Sequence, residues 1–347
     1  ARLSSLIPLI EMSSPPPHPT YIDASSAGRY SFTVEEEEAG LRLDRFLASR
    51  LGGMSRSRIK QLIEQGAVSS GAATIVEAST RVKSEQSFAI EIPEVEPTPL
   101  AAQPLGLNIL YEDRHLIVID KPAGVVVHPA PGNPDRTLVN ALIAHCGNEL
   151  ATVGAEGRAS IVHRLDKDTS GVMVAAKDEA ALQSLSEQFS ARSVERSYLA
   201  LVWGELRPRE GEIRGNIGRS PRNRKKMAVL SRGGKEAVTR YRTLAVYGEG
   251  TISLLECRLL TGRTHQIRVH LTHAGHPLLG DPLYGRGIPR SGRQLPEAIL
   301  EAIKTLGRQA LHAQTLGFLH PQDGSKLRFE TTLPTDLRNL TRLLELL

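Results

Sequence analysis

The chain has 347 residues, 40% hydrophobic and 23% charged, with a formal net charge of +5, which is apolar content enough for a sizeable core. No run approaches the roughly 18 apolar residues of a membrane span. The Ser- and Pro-rich start lacks the cleavage pattern of a secretory leader, so no membrane partner and a cytoplasmic location are expected.

Cys146 and Cys257 lie in apolar stretches without CxxC spacing, the pattern of buried free thiols in a reducing compartment. Charge is unevenly spread. Residues 1–100 hold 10 Lys and Arg against 13 Asp and Glu, whereas residues 101–347 hold 33 against 25. A basic larger part suits a polyanionic partner.

In chain order, residues 1–30 show little periodicity and are expected to be a mobile tail. Leu41, Leu43, Phe46, Leu47 and Leu51 form a helical stripe ended by Gly52-Gly53. Ser55 can cap a second helix, with Ile59, Leu62 and Ile63 on its apolar side and Gly66 at its end. Short β-type pieces around 67–68, 74–75 and 88–92 complete a small α+β module over 40–97. Pro93, Pro97, Pro99 and Pro104 mark a linker, placed at 98–106, before a larger domain at 107–347. Within the two helices, Arg42, Arg45, Arg50, Arg56, Arg58 and Lys60 stand against Asp44 alone, a net of +5. They make either solvated helix faces or a clamp on an RNA backbone.

The larger domain predicts strands at 109–110, 115–119, 171–176, 197–203, 238–247 and 251–260. Helices are predicted at 138–146, 178–189, 265–274, 296–306 and 334–346. Strands that follow one another without intervening helices argue for a mainly antiparallel mixed sheet with flanking helices, an α+β class.

The run His163-Arg164-Leu165-Asp166-Lys167-Asp168-Thr169-Ser170-Gly171 packs carboxylates, cations and hydroxyls between apolar strand-like segments. Polar groups there are costly unless partnered, so the run reads as a site rather than a linker. A buried Asp is driven towards its neutral form unless a cation sits beside it. A second run, Leu260 to His270, offers Arg268 about one turn into a helix that Thr264 can cap. His265, His270, His273 and His276 invite a metal reading, but Arg268 among them opposes a bound cation, and hydrogen-bonded packing is favoured. No metal or cofactor is expected. Arg214, Arg219, Arg222, Arg224, Lys225 and Lys226 form a stretch without an acid, suited to phosphate contacts.

These segments resemble the motifs of the RluA-type RNA pseudouridine synthases. His163-Arg164-Leu165-Asp166 is similar to the family's HRLD motif, and residues 262–270 match GRxHQIRxH. Residues 196–204 match KxYLALVxG, with Arg196 in place of the usual Lys, and residues 120–129 match the family's first motif. Residues 308–313 and 318–321 are family-like too, so the likeness runs from about 40 to 345. It implies an isomerase that needs no cofactor, with Asp166 as catalytic carboxylate, Arg268 as its partner and Tyr198 stacked on the target base. Ile267 would offer an apolar surface near that base. Arg164 is the candidate to fill the gap left when the base flips out, since a guanidinium can stack and hydrogen-bond at once.

The N-terminal module resembles the αL RNA-binding module of a ribosomal small-subunit protein and tyrosyl-tRNA synthetases, through residues 42–44 and 55–59. It departs from that pattern at Glu85-Gln86, where Gly-Asp is usual, and a turn without Gly is less permissive. Its presence points to the RluD-like subgroup, hence to large-subunit (23S) ribosomal RNA as partner; a monomer is expected. A non-catalytic RNA-binding or ribosome-assembly factor on the same fold is the alternative, and chelator-sensitive activity would mark a metal hydrolase.

Overall fold

A computed structural model describes residues 22–23, 28–52, 56–92, 100–130, 132–147, 150, 153, 160–223, 225–285 and 287–347. The chain divides into two compact units after Thr98.

The first unit contains β1 (Ile22–Asp23), β2 (Gly28–Thr33), α1 (Leu43–Arg50), β3 (Leu51–Gly52), α2 (Arg56–Glu64), β4 (Val68–Ser70), β5 (Ala73–Ile75) and β6 (Ser87–Ile92). Residues 28–30 thus begin a strand rather than extend a tail. Strands run in the order β2-β6-β4-β5, and Phe46, Leu47, Ile59, Leu62 and Ile63 from the helices bury against Phe88 and Ile90. Ser55, expected as a cap, lies outside the described residues. Glu85 adopts φ +64°, the left-handed conformation a Gly would take more easily. Gln86 braces this turn, accepting from Lys83 N and donating to Ser70 Oγ.

The second unit is built from β7 (Asn108–Glu112), β8 (Leu116–Lys121), α3 (Leu138–Cys146), β9 (Ser170–Ala176), α4 (Glu179–Ser190), β10 (Glu195–Trp203), β11 (Glu210–Arg219), β12 (Met227–Leu230), β13 (Lys235–Tyr247), β14 (Ile252–Leu259), α5 (Gln266–His273), α6 (Glu297–Leu306), β15 (Leu311–Leu319), β16 (Lys326–Glu330) and α7 (Thr335–Leu344). One sheet runs β12-β11-β13-β14-β10-β15-β9-β8-β7, with β16 added on β15. All its pairs are antiparallel except β9 with β15. The α+β expectation holds.

Coverage of the sheet explains its sequence. β8 and β9 are buried on both faces and read as unbroken apolar runs. Ile117, Ile119 and Met173 pack with α3, while Leu116, Val118 and Val174 pack with Leu185 of α4. Thr137 caps α3 by accepting from Asn140 N. By contrast β11 alternates between half-buried and exposed positions. Trp203, Ile299, Ile303, Leu337 and Leu340 make a separate core under α6 and α7. Among the described residues no helix is long and apolar enough to cross a membrane. Cys257 is buried and burial raises its thiol to about 12, but Cys146 is only half-buried, so the expectation of two buried thiols holds for one.

The parallel β9–β15 contact requires Gly171. Its φ is +123°, and a Cβ there would stand 2.1 Å from the Ala313 carbonyl oxygen. Gly171→Ala should therefore cost at least about 2 kcal/mol in urea unfolding, since both backbone and neighbour must move. A change within experimental error would show that the strands separate freely at this point.

Candidate active site

The segment 163–171 enters β9 as a loop fixed on three sides. Lys121, at the end of β8, is fully buried and its Nζ donates to the carbonyls of Pro122 at 2.8 Å, Val125 at 2.9 Å and Lys167 at 3.0 Å. Burial lowers Lys121 to about 8, although Asp168 and Asp166 act in the opposite direction. Gly124 N donates to the same Lys167 carbonyl. From the β15 side, Arg308 reaches the Asp168 carbonyl at 3.1 Å, Gln309 donates to Thr169 Oγ1 at 3.0 Å, and His312 pairs with Ser170 Oγ at 3.0 Å. Arg308 is itself clamped by both carboxylate oxygens of Asp336 in α7. Asp168 therefore serves the loop through its backbone.

The third side is α5. Arg268 donates through Nη1 to Asp166 Oδ2 at 2.9 Å. Its Nε and Nη2 grip Asp281 at 2.8 and 2.9 Å. The Asp281 side chain is 0% exposed, against 19% for Asp166. Burial opposes charge on Arg268, yet the bonds and field of Asp281, with Asp166 adding, raise its pKa above the ordinary value. Burial likewise raises Asp281, but Arg268 and the backbone N–H groups of Tyr284 and Leu283 outweigh it and lower the carboxyl. One guanidinium thus holds a buried structural carboxylate and orients a second, more accessible one. Among the described residues Asp166 Oδ1 has only His265 Nε2 near it, 3.9 Å away, which leaves that oxygen open.

Asp166, Arg164, Tyr198, Ile267 and Arg268 line one open cleft of about 970 Å³, together with His163, Phe189, Arg196 and His265. Tyr198 and Ile267 are almost wholly buried, and burial raises the Tyr198 hydroxyl. Arg164 is exposed. The helix start differs from expectation. Thr264 does not cap it, because His265 occupies the cap position at φ +57° with no side-chain cap bond. Gln266 Oε1 instead accepts from Arg263 N and Thr261 Oγ1, closing the turn. Burial lowers His265, and its Nδ1 pairs with Tyr284 Oη at 2.8 Å. His270 pairs with Thr239 and His276 with the Trp203 carbonyl. Among the described residues the one group with metal-ligand spacing is Glu112, His145 and Cys146, where Lys177 already pairs with Glu112.

The basic clusters carry less free charge than their sequences imply. Arg42 and Arg56 both bind Asp44, Arg50 is buried against Glu35 and Glu38, and Lys60 pairs with Glu64. Folding brings in three acids from outside 42–60, so the expected +5 falls by 3 to +2. Arg45 is exposed, and the Arg58 side chain lies outside the described ones. In the second cluster, Arg214 pairs with Glu212. Arg222 and Lys225 are exposed in the β11–β12 turn, and Arg224 lies outside the described residues. Lys226 Nζ lies 5.9 Å from the Tyr284 ring, whose other contacts include the Arg268 guanidinium at 5.0 Å. Asp281, Lys121, Tyr284 and Phe189 have no individual role in the sequence reading. The charge of Arg268 gave the signal for Asp281, since a buried guanidinium asks for more than one carboxylate oxygen.

Residues 115–273 match the family model described as RNA pseudouridylate synthase. The chain is 45% identical to "Ribosomal large subunit pseudouridine synthase D" of Zymomonas mobilis, over 90% of this chain and 96% of the relative. This chain belongs to the RNA pseudouridylate synthase family. It is an RNA pseudouridine synthase, hence an isomerase. A protein of the same name from Neisseria meningitidis serogroup B is 46% identical over 93% of this chain and 84% of its own. The solved structure "Human RNA Pseudouridylate Synthase Domain Containing 4" superposes with a TM-score of 0.51 at 27% identity, covering 69% of this chain and 93% of that one.

The shared guanidinium of this synthase can be tested by mutant cycles. Arg268→Ala should cost about 3–5 kcal/mol, because a buried charge is left unpaired. Asp281→Asn should recover much of that loss in the Arg268→Ala background, and Asp166→Asn should recover less. Folded Asp281 titrates below its ordinary value of 3.8. Its stabilising contribution is therefore complete above that pH and lost as pH falls through the folded value. Asp281→Asn should flatten acid unfolding below about pH 4. An unaltered acid limb, or equal recovery from both Asn substitutions, would contradict the division of labour.

Proposed function

We propose that the synthase isomerises uridines of large-subunit ribosomal RNA, using Asp166 as its single catalytic carboxylate after the target base is flipped into the cleft. The observation that carries the reading is the placement of Asp166, with one oxygen held by Arg268 and the other open to a cleft lined by Tyr198 and Ile267. The names of the bacterial relatives supply the RNA class.

In the reaction the C1′–N1 bond breaks, the base turns, and a C1′–C5 bond forms. The C5 proton leaves for solvent and N1 gains one. No redox partner or phosphate donor is needed. The carboxylate either attacks C1′ or removes a ribose proton to start the cleavage. Arg268 supports both by fixing the carboxylate geometry. Tyr198 offers a ring for stacking and Ile267 a dry wall, which keeps water from trapping the opened sugar. A glycosidase activates water with a second carboxylate, whereas Asp281, the other acid here, is fully engaged by Arg268. Arg164, exposed two residues before Asp166, occupies the vacated stack on this reading.

Residues 40–97, as an RNA-binding module, and the β11–β12 turn supply phosphate contacts on this reading. Arg42, Arg45, Arg56, Arg58 and Lys60 serve in the first, and Arg222, Arg224, Lys225 and Lys226 in the second. Residues 98–106 link the module to a catalytic domain at 107–347, and the protein acts as a cytoplasmic monomer.

Asp166→Asn keeps the shape of the side chain. It should release no tritium from ribosomal RNA labelled at uridine C5, while RNA affinity stays within a few fold. Turnover by this variant would remove Asp166 from the chemistry. Neutralising Arg222, Lys225 and Lys226 should lower the slope of log affinity against log salt by about 0.7–0.9 for each phosphate left without its cation. The modified uridine should not change, since phosphate contacts carry position rather than sequence. An unchanged slope would return that turn to solvated surface.

A further inference from the structure

Arg196 is a half-buried cation in the cleft, and among the described residues no carboxylate pairs with it. Among the described residues its guanidinium makes no hydrogen bond and no ion pair, and its Nε is sealed from water without a partner. Arg164 and Arg192, which also line the cleft, are exposed, and Arg263 donates to the Glu236 carbonyl. Arg268 has its two carboxylates. An arginine withdrawn from water normally finds an anion or a carbonyl, because the desolvation otherwise stands uncompensated.

The side chain is nevertheless held in place. The guanidinium lies over the Phe189 ring at 5.5 Å, and Phe189 stacks on His163 at 4.6 Å with 18° between the planes. His163 stays neutral, since burial lowers it to about 3, and it accepts from Val174 N in β9. On the other side Gly262 leaves room, as a Cβ there would come within 3.1 Å of Arg196 Nη1. The stack thus ties Arg196 to the loop that carries Asp166. In β10, Arg196 stands two residues before Tyr198 on the same face, roughly 7 Å along the strand. One nucleotide can span both.

We propose that Arg196 receives a backbone phosphate flanking the target nucleotide, and that Phe189 and Gly262 hold its guanidinium ready for it. The phosphates are the only charged groups an RNA brings to the cleft, and the guanidinium fork matches their geometry. Uracil, being neutral, compensates a buried cation poorly. A preorganised anion receptor aligns the flipped nucleotide without touching its base, so Arg196 acts on position and not on identity.

The inference rests on the cleft being where uridine binds, and turnover of unmodified RNA by the wild-type protein reports on that alone. Once the modified uridine has been mapped, synthetic stem-loops are made with one neutral methylphosphonate 5′ or 3′ to it. Affinity is measured in the Asp166→Asn background, where the RNA stays unreacted. One of the two replacements should weaken binding by about ten- to a hundred-fold. Arg196→Met should weaken binding of the all-phosphate RNA equally and abolish sensitivity to that replacement, with a melting temperature no lower than that of its parent. Arg196→Lys, which keeps the charge and covers the case of a Met variant that misfolds, should retain the sensitivity. Losses from Arg196 and methylphosphonate substitution that add at both flanks, or a folded Arg196→Met that binds as tightly as its parent, would overturn the proposal.

Discussion

Arg268 joins its own helix to Asp281, 13 residues on, and to Asp166, 102 residues back, because its planar fork can bond two carboxylates at once. The bidentate pair with Asp281 is the buried, permanent half of this junction, and the single bond to Asp166 is the accessible half. Geometry of this kind is available to arginine and not to lysine, whose point charge would have to choose between the acids. Everything else at the site serves to bring Asp166 to that guanidinium at a fixed angle. Lys121 holds the loop from the β8 side, and Arg308, Gln309 and His312 hold it from β15. The C-terminal helix contributes through Asp336, which fixes Arg308.

The loop is built largely from backbone carbonyls satisfied by buried side chains. Such a frame is rigid where it is complete and expensive to disturb, since each missing donor strands an acceptor away from water. It explains why so many polar residues sit between apolar strands in 163–171. His163, Arg164, Asp166 and Thr169 line the cleft. The Thr169 and Ser170 hydroxyls bond inward and Asp168 is held through its carbonyl, while Asp166 presents an open carboxylate oxygen to the cleft.

Elements with strong local signals were legible before folding was considered. Helix α3 follows from an apolar run at 138–146, and β8 and β9 from unbroken apolar stretches. β11, β12 and β16 were not anticipated. In β11 three glycines and alternating charges conceal a strand that is covered on one side only. The start of α5 was misassigned to Thr264 because a non-Gly residue in the left-handed region, His265, cannot be foreseen from propensity. Tertiary pairing was the harder limit. Sequence placed Arg268 near Asp166 through a family motif, but Asp281, which bonds Arg268 more fully, is recognisable only once the chain folds back over α5. The same holds for Glu35 and Glu38, which neutralise Arg50 from outside the window in which charges were counted.

On the proposed reading this chain converts uridine to pseudouridine in large-subunit ribosomal RNA through the Asp166 carboxylate. The most direct measurement is chemical mapping of pseudouridine along that RNA in cells lacking the protein, complemented by the wild-type or the Asp166→Asn chain. Discrete positions should lose pseudouridine in the deletion and regain it with the wild-type chain alone. Restoration by the Asp166→Asn chain, or a deletion in which every position stays modified, would contradict it.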